Sequence, residues 1–114
     1  MEDRFLFRVW KGKENRMVYD VTYLNPALLD PKIDFENRYN VLMQCTGLKD
    51  KNGKLIYEGD IVERDHVQGK KQGVVVFDKE ALQFRATSMS LHSFVHRSVV
   101  IGNIYEAPEL LESN

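Results

Sequence analysis

The sequence predicts a mainly β fold, a small barrel or sandwich, with little helix. Three observations carry this. Short runs rich in Val, Ile, Tyr, Phe and Thr recur along the chain, and these residue types suit a pleated, half-buried surface. Several runs alternate apolar and polar residues at period two, the spacing of a strand with one face covered. Gly, Asn and Asp clusters break the runs at close intervals, which favours hairpins over the long crossovers of an α/β sheet.

The first run is Phe5-Leu6-Phe7-Arg8-Val9-Trp10, with Phe5, Phe7 and Val9 on one face. A polar turn, Lys11 to Arg16, leads to Met17–Tyr23, in which Met17, Tyr19, Val21 and Tyr23 share a face. Together they read as a hairpin. Pro26 and Pro31 limit regular structure between Asn25 and Tyr39. Pro26–Asp30 fits one helical turn, with Asn25 as N-cap and Pro at the first helical position. Tyr39, Val41, Met43 and Cys45 alternate in a third strand. Asn52-Gly53 then supplies the positive φ angles of a tight turn. Leu55-Ile56-Tyr57 and Ile61-Val62-Glu63-Arg64 flank Glu58-Gly59-Asp60. Gly59 suits a positive φ there, and the Asp60 carboxylate suits turn N–H groups. Val74–Phe77 is continuously apolar and reads as a strand buried on both faces. Leu82, Phe84 and Ala86 alternate in the next. Gly102-Asn103, between Val99–Ile101 and Ile104-Tyr105, reads as a bulge or tight turn. Glu109-Leu110-Leu111 forms a short terminal turn packed by its leucines.

At 114 residues the chain suits one domain or two packed subdomains. Hydrophobic residues make up 43% and charged residues 29%, as in ordinary globular proteins. No apolar run approaches the roughly 20 residues that span a bilayer, and Met1-Glu2-Asp3-Arg4 lacks a secretory pattern. The expectation is a cytoplasmic protein with no membrane partner. The net charge of −1 lends no support to a nucleic-acid partner, because phosphate binders usually carry a basic excess. Cys45 is the one cysteine and reads as a small buried strand residue rather than a nucleophile.

The residues that invite chemistry have plainer readings. Glu58 and Asp60 form a potential acid–base or metal pair, but neighbouring acids are common in surface turns, and no nucleophile accompanies them. His92 and His96 have the spacing of ligands on one helix face. Their segment lacks a strong helical pattern, and only His66 and Cys45, distant in sequence, would complete a set. Lys70 and Lys71, with Arg64 and His66 nearby, make a basic hairpin tip. Trp10, Tyr57 and Tyr105 are the aromatics that would serve a base-stacking or peptide-binding surface, against the alternative that they are core. No catalytic, cofactor-binding or metal-binding residues are expected, and no cofactor.

Thr46-Gly47-Leu48-Lys49-Asp50-Lys51-Asn52-Gly53-Lys54-Leu55-Ile56-Tyr57-Glu58-Gly59-Asp60-Ile61-Val62 resembles the YopX family of phage and prophage proteins. The segments Phe7–Trp10 with Lys13–Met17, Gly73–Phe77 and Ile101–Leu111 resemble it too. The resemblance implies a C-terminal SH3-like barrel packed on N-terminal β-strands, with a little helix in the connecting loop. Residues 1–46 would then be an N-terminal β subdomain with its loop, and 47–114 the barrel, in one compact unit. Asn52, Gly53, Gly59, Asp60, Gly102 and Asn103 are its structural signature. A bacterial cytoplasm and a mobile-element origin are implied as well. The resemblance brings no reaction with it. The expected function is a non-enzymatic interaction module that binds a host or phage protein or its own copies. The alternatives are a nucleic-acid-binding accessory protein and, last, an enzyme.

Overall fold

The computed structural model describes residues 6–21 and 39–112. Within them β1 (Phe7–Lys11) and β2 (Arg16–Val21) form the opening hairpin. Asn15 takes a φ of 55° in its turn, a conformation Asn tolerates better than most residues. β3 (Asn40–Lys49) pairs with the other edge of β1, and β4 (Leu55–Tyr57) pairs with β3. The sheet order is therefore β2-β1-β3-β4. The chain continues as β5 (Asp60–His66), β6 (Gly69–Val74), β7 (Val76–Asp78), β8 (Gln83–Ala86) and β9 (Met89–Ser90). Two 3-10 turns, Leu91–Ser93 and Val95–Arg97, lead to β10 (Val99–Asn103) and the helix α1 (Glu109–Glu112). These strands make two antiparallel sheets, β10-β5-β6 and β7-β8-β9. The fold is mainly β.

The expectation for Val74–Phe77 is overturned, and β1 adds a feature of its own. β1 is a central strand, so Arg8, Val9 and Trp10 are all buried. Both of its faces are covered, Val9 on one and Arg8 with Trp10 on the other. The run Val74–Phe77 is not one strand buried on both faces: it breaks at Val75, which is buried, while Val76 and Phe77 are exposed. Backbone bonds explain the break. The Gly59 N–H donates to the Val75 carbonyl (2.9 Å), and the Val75 N–H donates to the Asp60 carbonyl (2.8 Å). Val75 thus hands the chain from one sheet to the next. The division between residues 46 and 47 falls inside β3, and β4 pairs with β3 while giving Ile56 to the C-terminal core. The helical turn expected at Pro26–Asp30 lies outside the described residues.

That core is Ile56, Val62, Val75, Ala86, Leu91 and Phe94. Leu91 and Phe94 stand three residues apart, the repeat that stacks side chains on one side of 3-10 backbone. Cys45 is fully buried in β3.

Candidate functional site

The Glu58-Gly59-Asp60 turn joins the sheets. Gly59 has a φ of +86°, and a Cβ there would lie 3.0 Å from Met43 Sδ. The conformation favours glycine, and a Cβ would also have to push the Met43 side chain aside. Asp60 Oδ2 accepts the Tyr57 N–H (2.8 Å). Asp60 Oδ1 lies 2.9 Å from Arg8 Nη1, with the side chains 3% and 2% exposed. Arg8 Nη2 donates to the Glu58 carbonyl (3.0 Å), and the guanidinium sits 4.9 Å from the Tyr57 ring centroid, a favourable cation–π distance. Burial pushes the Asp60 carboxyl up, more than Arg8 and the Tyr57 N–H pull it down. Such a pair holds an arrangement in place more than it adds stability.

The other signature residues are fasteners as well. Gly53 takes the positive φ after a turn closed by its N–H on the Asp50 carbonyl (3.0 Å). Asn52 does not share the positive φ expected of it. Asp50 does more than its sequence suggests. Its Oδ1 accepts the N–H groups of Asn52 and Lys54, and its Oδ2 accepts that of Val100 in β10. Gly102 lies at a bulge in β10 and has no positive φ. It is small because α1 packs on it: a Cβ would lie 2.7 Å from Leu110 Cδ1. The Asn103 side chain accepts the N–H groups of Tyr105 and Glu106 and donates to Glu106 Oε1. The link from this strand to the Gly59 turn is backbone, Ile104 N–H to Gly59 carbonyl (3.0 Å).

Trp10 and Tyr57 are buried, so neither forms an open stacking platform. Trp10 stacks on half-buried Tyr105 with centroids 5.6 Å apart. Lys70 is exposed and pairs with Asp65, and Lys71 is half-buried beside it in β6. His92 and His96 occupy different 3-10 turns, and His92 Nδ1 contacts Ser90 Oγ (2.7 Å).

An open groove of about 320 Å³ lies between β3 and β7. Its walls are Val41–Met43 and Val74–Phe77, with Glu58-Gly59 and Ile104-Tyr105 completing it. The Cys45 N–H donates to Leu6 and the Tyr39 carbonyl accepts from Gly12. Odd-numbered residues of β3 therefore face β1, and by strand alternation Leu42 turns its N–H and C=O toward the groove. At the groove's end Glu58 already acts as a strand partner: its N–H donates to the Gln44 carbonyl, and its Oε1 accepts the Gln44 N–H. The two neighbouring carboxylates, Glu58 and Asp60, thus do different structural work.

Beside the groove projects the β7–β8 hairpin. Asp78 Oδ1 accepts the N–H groups of Glu80 and Ala81 and shapes its loop. Val76 and Phe77 are exposed, and Phe77 packs edge-on against Phe84. Leu82 is 78% exposed and has a φ of 53°. Left-handed loop positions normally take Gly or Asn. Sequence alternation places Leu82 in a strand face and gives no sign of this.

A family model described as YopX protein matches residues 6–112. Among solved structures, protein EF1440 from Enterococcus faecalis is similar, with 26% identity and a TM-score of 0.71 over 93% of this chain and 96% of that one. Protein YopX from Bacillus subtilis is 24% identical with a TM-score of 0.47, over 94% and 98%. Comparison with curated proteins gives no match.

Proposed function

The chain belongs to the YopX family, a membership that assigns no reaction, and we propose that it is a non-catalytic interaction module that binds a protein partner through the β7–β8 hairpin and the groove beside it. The observation that carries this reading is Leu82. A large apolar side chain stands in solvent on backbone that disfavours it. Such a position costs on the order of 1 kcal/mol, and the side chain stands 78% exposed among the described residues. Contact with a partner would offset that cost.

The groove suits an extended segment. Glu58 takes the first strand-partner position beside Gln44, and a segment continuing that line would meet the polar backbone of Leu42. Its side chains would lie on Val41, Met43 and Val76. The sheet arrangement supports the SH3-like reading of the C-terminal half. Two successive strands, β6 and β7, carry the chain from one three-stranded sheet to the other through Val75, and 3-10 turns precede the closing strand. Small barrels of this kind commonly bind through loops and open edges. A phage or prophage origin and a bacterial cytoplasmic setting complete the proposal and rest on the family.

A photo-crosslinking amino acid at position 77, in bacterial cells, tests it, with position 13 on the β1–β2 turn as control. Discrete protein adducts from position 77 alone support the reading, and light scattering on the purified chain tells a second copy from another protein. Equal labelling from both positions, or none, would overturn it.

A further inference from the structure

A second surface lies away from the groove. Lys51, Arg64, Asp65, His96 and Arg97 line an open pocket of about 310 Å³. They come from three separate places: the turn after β3, the end of β5 and the second 3-10 turn. Among the described residues, Lys51, Arg64 and Arg97 form no ion pair with a carboxylate. The one acid in the lining, Asp65, is engaged by Lys70. In a chain of net charge −1, this is a local excess of positive charge that the overall balance conceals.

Arg64 is held in place. Its Nε donates to Thr87 Oγ1 (2.9 Å), its Nη1 to the Asp65 carbonyl (3.2 Å), and its guanidinium lies 5.3 Å from the Phe94 ring centroid. Thr87 is itself an outlier. It has a φ of 53°, followed by Ser88 at 65°, in a turn where Gly and Asn are usual. A β-branched residue at positive φ is strained, and such strain gathers where geometry serves binding. Gly73 admits this arrangement: a Cβ there would lie 2.6 Å from the Thr87 backbone nitrogen. A glycine, a strained threonine and an aromatic ring thus fix one guanidinium at the wall of a basic pocket.

We propose that this pocket binds a phosphate group of a nucleic-acid strand, with Arg64 as the oriented donor and Lys51, His96 and Arg97 completing the shell. A guanidinium suits this task because its planar fork matches phosphate oxygens. A nucleic-acid strand is favoured over an isolated phosphate because the pocket is open and its cations are spread over three separate segments of the chain.

The test is binding of fluorescein-labelled oligothymidylate to the intact chain at low salt, followed by anisotropy. The expected result is salt-dependent binding that Arg64→Gln and Arg97→Gln each weaken by about tenfold, with the salt slope lowered by about one. Lys13→Gln, on the β1–β2 turn, should leave binding unchanged. Thr87→Val should weaken binding without removing a charge, which a diffuse electrostatic effect would not produce. Arg97 is exposed, so its variant keeps the test valid if Arg64→Gln unfolds. Absence of binding, equal losses from Lys13→Gln and Arg97→Gln, or preference for inorganic phosphate or a phosphopeptide would overturn the proposal.

Discussion

Arg8 Nη1 lies 2.9 Å from Asp60 Oδ1, and this buried contact ties the first strand of the N-terminal sheet to the turn that starts β5. Removing one partner leaves the other charge buried and unpaired, which costs about 3 kcal/mol. Asp60→Asn and Arg8→Met should each destabilise by about that amount. The double variant should be no less stable than the weaker single one, because the pair is lost only once. Urea denaturation of the four proteins checks this. Additive losses would show that the two side chains act independently.

Asp50 should make stability depend on pH. Burial raises its carboxyl, but the N–H groups of Val100, Lys54 and Asn52 together outweigh burial and hold it below its ordinary value of 3.8. A depressed carboxyl stabilises the fold above the unfolded pKa, and that contribution is lost as pH falls through the folded pKa. Asp50→Asn should therefore cost about 2 kcal/mol at neutral pH, where charged acceptors are lost. The deficit should shrink below about pH 4, near the unfolded value. Thermal melts of both proteins across that range measure it, and a deficit constant with pH would count against this role.

Gly73→Ala separates backbone preference from crowding. Gly73 has no positive φ, so alanine would stabilise through the unfolded chain if space allowed. Space does not allow it, since the new Cβ would meet the Thr87 backbone nitrogen at 2.6 Å. Overpacking of this kind costs about 1–3 kcal/mol, so a lower melting temperature is expected. A higher one would mean the Thr87 turn moves freely.

Turn chemistry was the part of this molecule most open to reading from sequence. Gly53 and Gly59 adopt the backbone that their neighbours demand, a local requirement written in local residues. Strand positions followed from alternation for the same reason. Which face another sheet covers is not local, and so alternation in β1 does not reveal that Arg8 and Trp10 are buried together with Val9. The roles of Asp50 at Val100 and of Arg8 at Asp60 depend on strands brought together from opposite ends of the chain. No spacing rule exposes them. The break at Val75 is of the same kind, since four apolar residues in a row look alike whether they stay in one sheet or pass between two. The basic pocket gathers residues from three segments that a net charge near zero averages away.

A contact role for the β7–β8 hairpin meets its sharpest test at Leu82, where structure and function pull in opposite directions. Leu82→Asn places a residue suited to positive φ on that backbone and removes an apolar side chain that is 78% exposed. Melting temperature and crosslinking from position 77 should be measured on the same preparation. The expected result is a fold more stable by on the order of 1 kcal/mol, with the position-77 adducts lost. A less stable variant, or adducts that persist undiminished, would contradict it.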